Sequence, residues 1–179
     1  GKPANETWYN ADGSVYQTES WAYDPSSGQL LKVVIGGVAN APYVRTETSY
    51  DSQGNPSYKL WIRADGTNYQ TASYQPDGAF SLHRDASGAA FGVAYTGFDV
   101  SYNAAGKPTR EDWGNGIVET WSYDPTSGAL AETAVTGLPN QPYVEIDTLY
   151  GANGQPTQKT WLTTDGSIYQ TQTWGVDGA

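Results

Sequence analysis

The chain repeats itself, and its period leaves few folds open. An aromatic residue followed by a short turn recurs along the whole length. It appears as Trp21-Ala22-Tyr23-Asp24 with Ser27-Gly28, Ser49-Tyr50-Asp51 with Gln53-Gly54, and Tyr74 with Pro76-Asp77-Gly78. It continues as Ser101-Tyr102-Asn103 with Ala105-Gly106, Trp121-Ser122-Tyr123-Asp124 with Ser127-Gly128, Leu149-Tyr150-Gly151 with Asn153-Gly154, and Trp174 with Asp177-Gly178. Successive aromatic positions (23, 50, 74, 102, 123, 150 and 174) lie 27, 24, 28, 21, 27 and 24 residues apart. Periods of this size belong to arrays in which no unit buries its apolar face alone and each packs on its neighbours.

A second order lies above the first. Gly1-Lys2-Pro3, Gly54-Asn55-Pro56, Gly106-Lys107-Pro108 and Gly154-Gln155-Pro156 each precede a tryptophan: Trp8, Trp61, Trp113 and Trp161. Three of these tryptophans lead into an Asp-Gly turn and a Tyr-Gln-Thr, as in Asp12-Gly13-Ser14-Val15-Tyr16-Gln17-Thr18. The copy after Trp113 is shorter, with Gly114-Asn115-Gly116 in its place. Units of another kind alternate with these, and their Pro42-Tyr43-Val44 returns as Pro142-Tyr143-Val144. Ala94-Tyr95 stands where a diverged third copy belongs. The order is A-B-A-B-A-B-A with a super-period near 50.

Each A unit reads as a β-hairpin, because Asp-Gly between β-favouring flanks suits a tight two-residue turn. Turns at Asp12-Gly13, Asp65-Gly66 and Asp165-Gly166 pair Tyr9 with Tyr16, Trp8 with Gln17 and Thr7 with Thr18, and likewise Ile62 with Tyr69 and Leu162 with Tyr169. B units read as longer hairpins with looser tips at 36–42 and 137–142, and prolines fall where no ladder donor is needed. No segment has a helical period. The expected fold is all-β: tandem antiparallel hairpins in about seven units of 21–28 residues (1–27, 28–53, 54–77, 78–105, 106–127, 128–153 and 154–179). They form one array with a continuous, twisted or spiralling sheet.

Composition narrows the function. A net charge of −10 with 9 thinly spread basic residues lacks the clustered footprint of a nucleic-acid binder. The longest apolar runs, Leu30–Leu31 and Val33–Ile35, are far short of a membrane-spanning helix. With no cysteine there is no disulfide, thiol catalysis or thiolate metal site.

Tyr23-Asp24…Gly28, Tyr50-Asp51…Gly54 and Tyr123-Asp124…Gly128 resemble YD repeats. These are the Tyr-Asp tandem repeats of rearrangement-hotspot (Rhs) proteins, Tc-type toxin shells, teneurins and wall-associated bacterial proteins. The resemblance implies one hairpin per repeat, joined into a long spiralling sheet, and a secreted or cell-surface setting. It also implies the possibility of a toxin-enclosing shell, of which seven repeats would be a patch. Tyr74-Gln75, Tyr102-Asn103, Tyr150-Gly151 and Trp174 depart from the motif, and Trp-rich hairpins are not part of the common pattern. The chain also resembles Asp-Gly-Ser-rich arrays of large secreted bacterial adhesins and matrix proteins.

Each candidate site has a plain structural role beside the chemical one. Asp24, Asp51 and Asp124 precede turns, where Asp bonds its own downstream backbone; the spacing of a calcium loop is absent. His83 is the one imidazole, with no nucleophile elbow beside it. Glu6 and Glu19 face each other in the register of the first A hairpin, but Lys59 with Ala72 and Lys159 with Gln172 occupy the equivalent places. The tryptophans Trp8, Trp21, Trp61, Trp113, Trp121, Trp161 and Trp174 fit a structural ladder, or else a row of exposed rings for stacking on sugars.

The expectation is a non-enzymatic structural segment of a bacterial extracellular protein (a fibre, shell or biofilm-matrix adhesin) needing no cofactor or metal. Its expected partners are further copies or flanking repeats, end to end. Polysaccharide binding is the alternative. Gly1-Lys2-Pro3 copies an internal motif and neither end carries a capping unit, so both termini read as cuts through a continuing array.

Overall fold

The computed structural model describes residues 1–175, so Asp177-Gly178 lies outside the described residues. Among the described residues there is no helix, and the strands are antiparallel throughout. The chain divides into two compact units, Gly1–Asp85 with Ala104–Gly106, and Ala86–Asn103 with the chain from Lys107 onward.

In the first unit, β1 (Asn5–Tyr9), β2 (Val15–Tyr23), β3 (Leu30–Gly36), β4 (Arg45–Tyr50), β5 (Pro56–Ile62), β6 (Asn68–Tyr74) and β7 (Phe80–Arg84) pair each with the next. In the second, β8 (Gly88–Ala90) and β9 (Val93–Tyr95) form a small hairpin. The strands β10 (Phe98–Tyr102), β11 (Pro108–Asp112), β12 (Val118–Tyr123), β13 (Leu130–Thr136), β14 (Glu145–Tyr150), β15 (Pro156–Leu162) and β16 (Ile168–Thr173) then follow in order. Prolines start β5, β11 and β15, where the missing N–H costs least.

The Asp-Gly turns stand where expected, but they are not two-residue turns. Asn10 N–H donates to Ser14 O and Gly13 N–H to Asn10 O, which closes a three-residue loop. Gly13 takes φ +82°, the left-handed bulge that lets a type I turn follow the strand twist. The same pair of bonds recurs around Gly66 and Gly166. Register follows suit. Trp8↔Gln17 and Thr7↔Thr18 pair as expected, but Tyr9 pairs with Val15, Ile62 with Asn68 and Leu162 with Ile168. The tyrosine of each Tyr-Gln-Thr (Tyr16, Tyr69, Tyr169) is therefore the extra residue of a β-bulge. It has no partner across the ladder, and a bulge of this kind re-aims a side chain.

Burial differs between the units. In the second, Ala90, Trp113, Ile117, Val135 and Leu138 form a buried cluster, flanked by Val93, Tyr95, Phe98, Tyr143 and Ile146. The first unit buries Val33, Ile62 and Ala72, together with Thr46 and Gln70.

Candidate functional site

The B tips are where the repeat does its most specific work. Tip residue Val44 donates its N–H to Ile62 O at 2.9 Å, extending the β4–β5 ladder past its end. The Tyr43 ring stacks on Tyr69, with centroids 6.0 Å apart and planes at 28°. The second tip repeats the arrangement: Val144 N–H donates to Leu162 O at 2.8 Å, and Tyr143 lies 5.8 Å from Tyr169 and 6.4 Å from Trp161. Pro-Tyr-Val thus clasps the same two places on the A hairpin that follows it, the carbonyl after the tryptophan and the bulged tyrosine. Each tip turns through an asparagine at φ 59°, Asn40 or Asn140, a residue type that tolerates the left-handed region. In the diverged copy, β8–β9 takes the tip's place. Phe91 packs edge-on against Trp113 at 5.8 Å, and Asn115 Nδ2 donates to the carbonyls of Val93 and Ala94 at 3.4 and 3.3 Å.

The tryptophans are not a row of bare rings. Trp113 is buried, and Trp8, Trp21, Trp61, Trp121, Trp161 and Trp174 are half-buried. Lys59 and Lys159 lie over Trp61 and Trp161, 4.9 and 5.0 Å from the ring centroids, which sets a cation against one face of each indole. The lysines of Gly-Lys-Pro have a parallel duty. Lys2 Nζ donates to Gly28 O and sits 5.0 Å from the Tyr23 ring, and Lys107 does the same to Gly128 O and Tyr123.

The turn aspartates bond to their own loops. Asp12 Oδ1 accepts from Ser14 N and Oγ at 2.9 and 2.6 Å, and Asp65 accepts from Thr67 in the same way. Asp24 accepts from Ser26 N, Ser27 N and Ser27 Oγ, Asp124 from Thr126 and Ser127, and Asp51 from Gln53 N and Asn55 N. Asp165 accepts from Thr163 Oγ1 at 2.5 Å and from Ser167 N at 3.1 Å. These bonds hold all six carboxyls below the ordinary value, Asp165 at about 2. Among the described residues, no group of three acidic or imidazole side chains could hold a metal. His83 Nε2 lies 3.3 Å from Asp85 Oδ1 at an exposed position.

Glu6 and Glu19 do oppose each other across β1–β2, and the structure adds a pair that the sequence reading missed. Glu111 opposes Glu119 across β11–β12. The shortened hairpin after Trp113 hid this equivalence. Burial raises the pKa of both, and the Glu111 charge adds to the rise at Glu119. On the other face, burial and the neighbouring Glu145 raise Asp147, whose Oδ1 is buried without a hydrogen-bond partner. Asp147 lines a cavity of about 230 Å³ with Trp121, Glu132 and Glu145.

These opposite shifts predict an acidic optimum of stability. Carboxyls lowered on folding stabilise above their unfolded value, 3.8, and lose that contribution as pH falls through their folded values. Carboxyls raised on folding stabilise below their unfolded value, 4.5 for Glu119, and lose that contribution as pH rises through the folded one. Thermal melts from pH 2 to 8 should therefore peak at about pH 4 and decline toward neutrality. Glu119→Gln should raise the pH 7 melting temperature by about 1–4 °C, since like charges opposed across strands are destabilising and cross-strand pairs are worth up to about 1 kcal/mol. A flat profile, with no gain from E119Q, would contradict this.

No family model matches the chain, and no curated protein does. Among solved structures, it is similar to TcdB2-TccC3 without its hypervariable C-terminal region, at 13% identity and a TM-score of 0.32, over 96% of this chain and 12% of that one. The Photorhabdus luminescens Tc holotoxin pore matches over 88% of this chain and 11% of its own, at 14% identity and a TM-score of 0.30. A Bacteroides fragilis protein of unknown function matches at 11% identity and a TM-score of 0.18, over 90% of this chain and 95% of its own. The chain thus spans about an eighth of the length of the toxin chain it is similar to.

Proposed function

We propose that this chain is a non-enzymatic structural repeat segment, of the YD-repeat kind, in an extracellular fibre, shell or matrix protein. One observation supports this reading above the others: the recurring motifs engage the chain itself. The turn aspartates bond their own loops, the Gly-Lys-Pro lysines bind a neighbouring turn, and Pro-Tyr-Val seats on the next hairpin. A catalytic or ligand-reading array would spend its repeated residues on an outside molecule. The lysines over Trp61 and Trp161 weigh against sugar stacking at those rings.

Interdependence of units is the test. A fragment of residues 1–53 lacks the hairpin on which its own tip seats, and it should be largely unfolded by circular dichroism. The whole chain should melt cooperatively. A sharp melt for 1–53 alone would overturn the reading. Titration of the whole chain with soluble polysaccharides should leave tryptophan emission unchanged, whereas a saturable shift would establish the carbohydrate-binding alternative.

A further inference from the structure

Resting on that structural-repeat reading, we propose that the outer edge of the first hairpin is a docking surface for a B-type hairpin from another repeat unit. That hairpin would carry the Pro-Tyr-Val tip. Equivalent positions of the three A hairpins differ in their cover. The residue after the tryptophan is Tyr9, Ile62 or Leu162, and the bulged tyrosine is Tyr16, Tyr69 or Tyr169. Where a tip precedes the hairpin, that first position is covered: Ile62 is 7% exposed, and Leu162 is half-buried. Tyr9 is 64% exposed, and Tyr16, at 56%, is open where Tyr69 is half-buried; Tyr169 stays 52% exposed beneath its tip, so the contrast is sharpest at Tyr9. The whole of β1 shows the same contrast. All of its residues but Trp8 are exposed, whereas β15 has none exposed. β1 is also the edge strand of its unit, with open backbone groups along one side.

Two tips in the chain show what fits such an edge. In both, the second strand of a B hairpin pairs with the first strand of an A hairpin, and the tip valine N–H bonds the carbonyl after the tryptophan. Transferred to β1, the occupant is a strand of the β4 or β14 kind. Its valine N–H would donate to Tyr9 O, its tyrosine would stack on Tyr16, and the residue two after the valine would lie opposite Trp8, as Thr46 does with Trp61 and Ile146 with Trp161. This is strand addition to a sheet edge, with main-chain bonds for affinity and an aromatic contact for register. The chain's own tips are already engaged by Ile62 and Leu162, so an additional unit supplies the occupant.

Residues 128–153 are a complete B hairpin, and in the sequence they run directly into Gly154-Gln155-Pro156, the counterpart of Gly1-Lys2-Pro3. The experiment joins a copy of 128–153 ahead of Gly1 in the full chain and measures hydroxyl-radical labelling of Tyr9 and Tyr16 by mass spectrometry. Tyr9 labelling should fall several-fold, as its exposure moves from 64% toward the 7% of Ile62. Tyr143→Ala in the added copy alone, which removes the aromatic half of the contact, should return part of the Tyr9 labelling. Undiminished Tyr9 labelling in a folded, extended chain would overturn the docking proposal, while the 1–53 fragment test would still stand for the structural reading. Concentration-dependent protection of Tyr9 in the unextended chain would also overturn it, by making a second copy the occupant.

Discussion

Ile117→Ala is expected to cost about 2–5 kcal/mol, the range for removing a fully buried aliphatic side chain and leaving a cavity. Ile117 is the one large side chain with no exposure among the described residues. It sits in the cluster with Trp113, Val135 and Leu138, which joins an A hairpin, a B strand and a B tip. Three elements lose contact at once, so the site has little means of collapsing around the void. Against a typical domain stability of about 5–15 kcal/mol, such a loss takes a large share. Val15→Ala is the control: Val15 is 54% exposed, and its removal should stay within about 0.5 kcal/mol. Urea unfolding followed by tryptophan emission compares the two. Equal midpoints would mean that the cluster is not the core of the second unit.

The fold was legible wherever its cause was local. Asp-Gly turns, alternating hairpins, loose B tips and the Trp8–Gln17 register all follow from residues within a few positions of each other. What escaped was decided by one extra residue or by distance. Tyr16 reads as a ladder partner for Tyr9, but the left-handed glycine at 13 adds a loop residue, and the bulge at Tyr16 absorbs it. Glu111 and Glu119 escaped because the Gly114-Asn115-Gly116 loop broke the spacing through which Glu6 and Glu19 were found. The contact of Pro-Tyr-Val with the next hairpin left a signal, a tripeptide repeated 100 residues apart. Its target lies 18 residues downstream, beyond any pattern of period 2. The role of Phe91 on Trp113 left none, because the diverged copy keeps no motif to align. Recurrence likewise marked the tryptophans without revealing that Lys59 and Lys159 lie over two of them.

Gly137→Ala is expected to be the most damaging single-methyl addition in the chain. Gly137 has φ +77°, and a Cβ there would meet the Gly116 carbonyl, 2.8 Å from its carbon and closer still to its oxygen. Backbone cannot swing aside as a side chain can, so the tip must lift from the hairpin. Lifting exposes Leu138, 6% exposed in place, and breaks the bond from Val144 N–H to Leu162 O. Left-handed strain, a lost leucine burial and a lost hydrogen bond together come to about 3–6 kcal/mol. Two other glycines separate strain from clash. Gly13 has φ +82° with open space around it, so Gly13→Ala should cost only the left-handed penalty of about 1–2 kcal/mol. Gly37, at φ +79°, would place its Cβ 2.9 Å from Tyr16 O, and Gly37→Ala should fall between the two. Equilibrium unfolding of the three variants should therefore rank Gly137 above Gly37 above Gly13. If Gly137→Ala cost no more than Gly13→Ala, the B tip would not be packed against the Gly114-Asn115-Gly116 loop of the hairpin that precedes it.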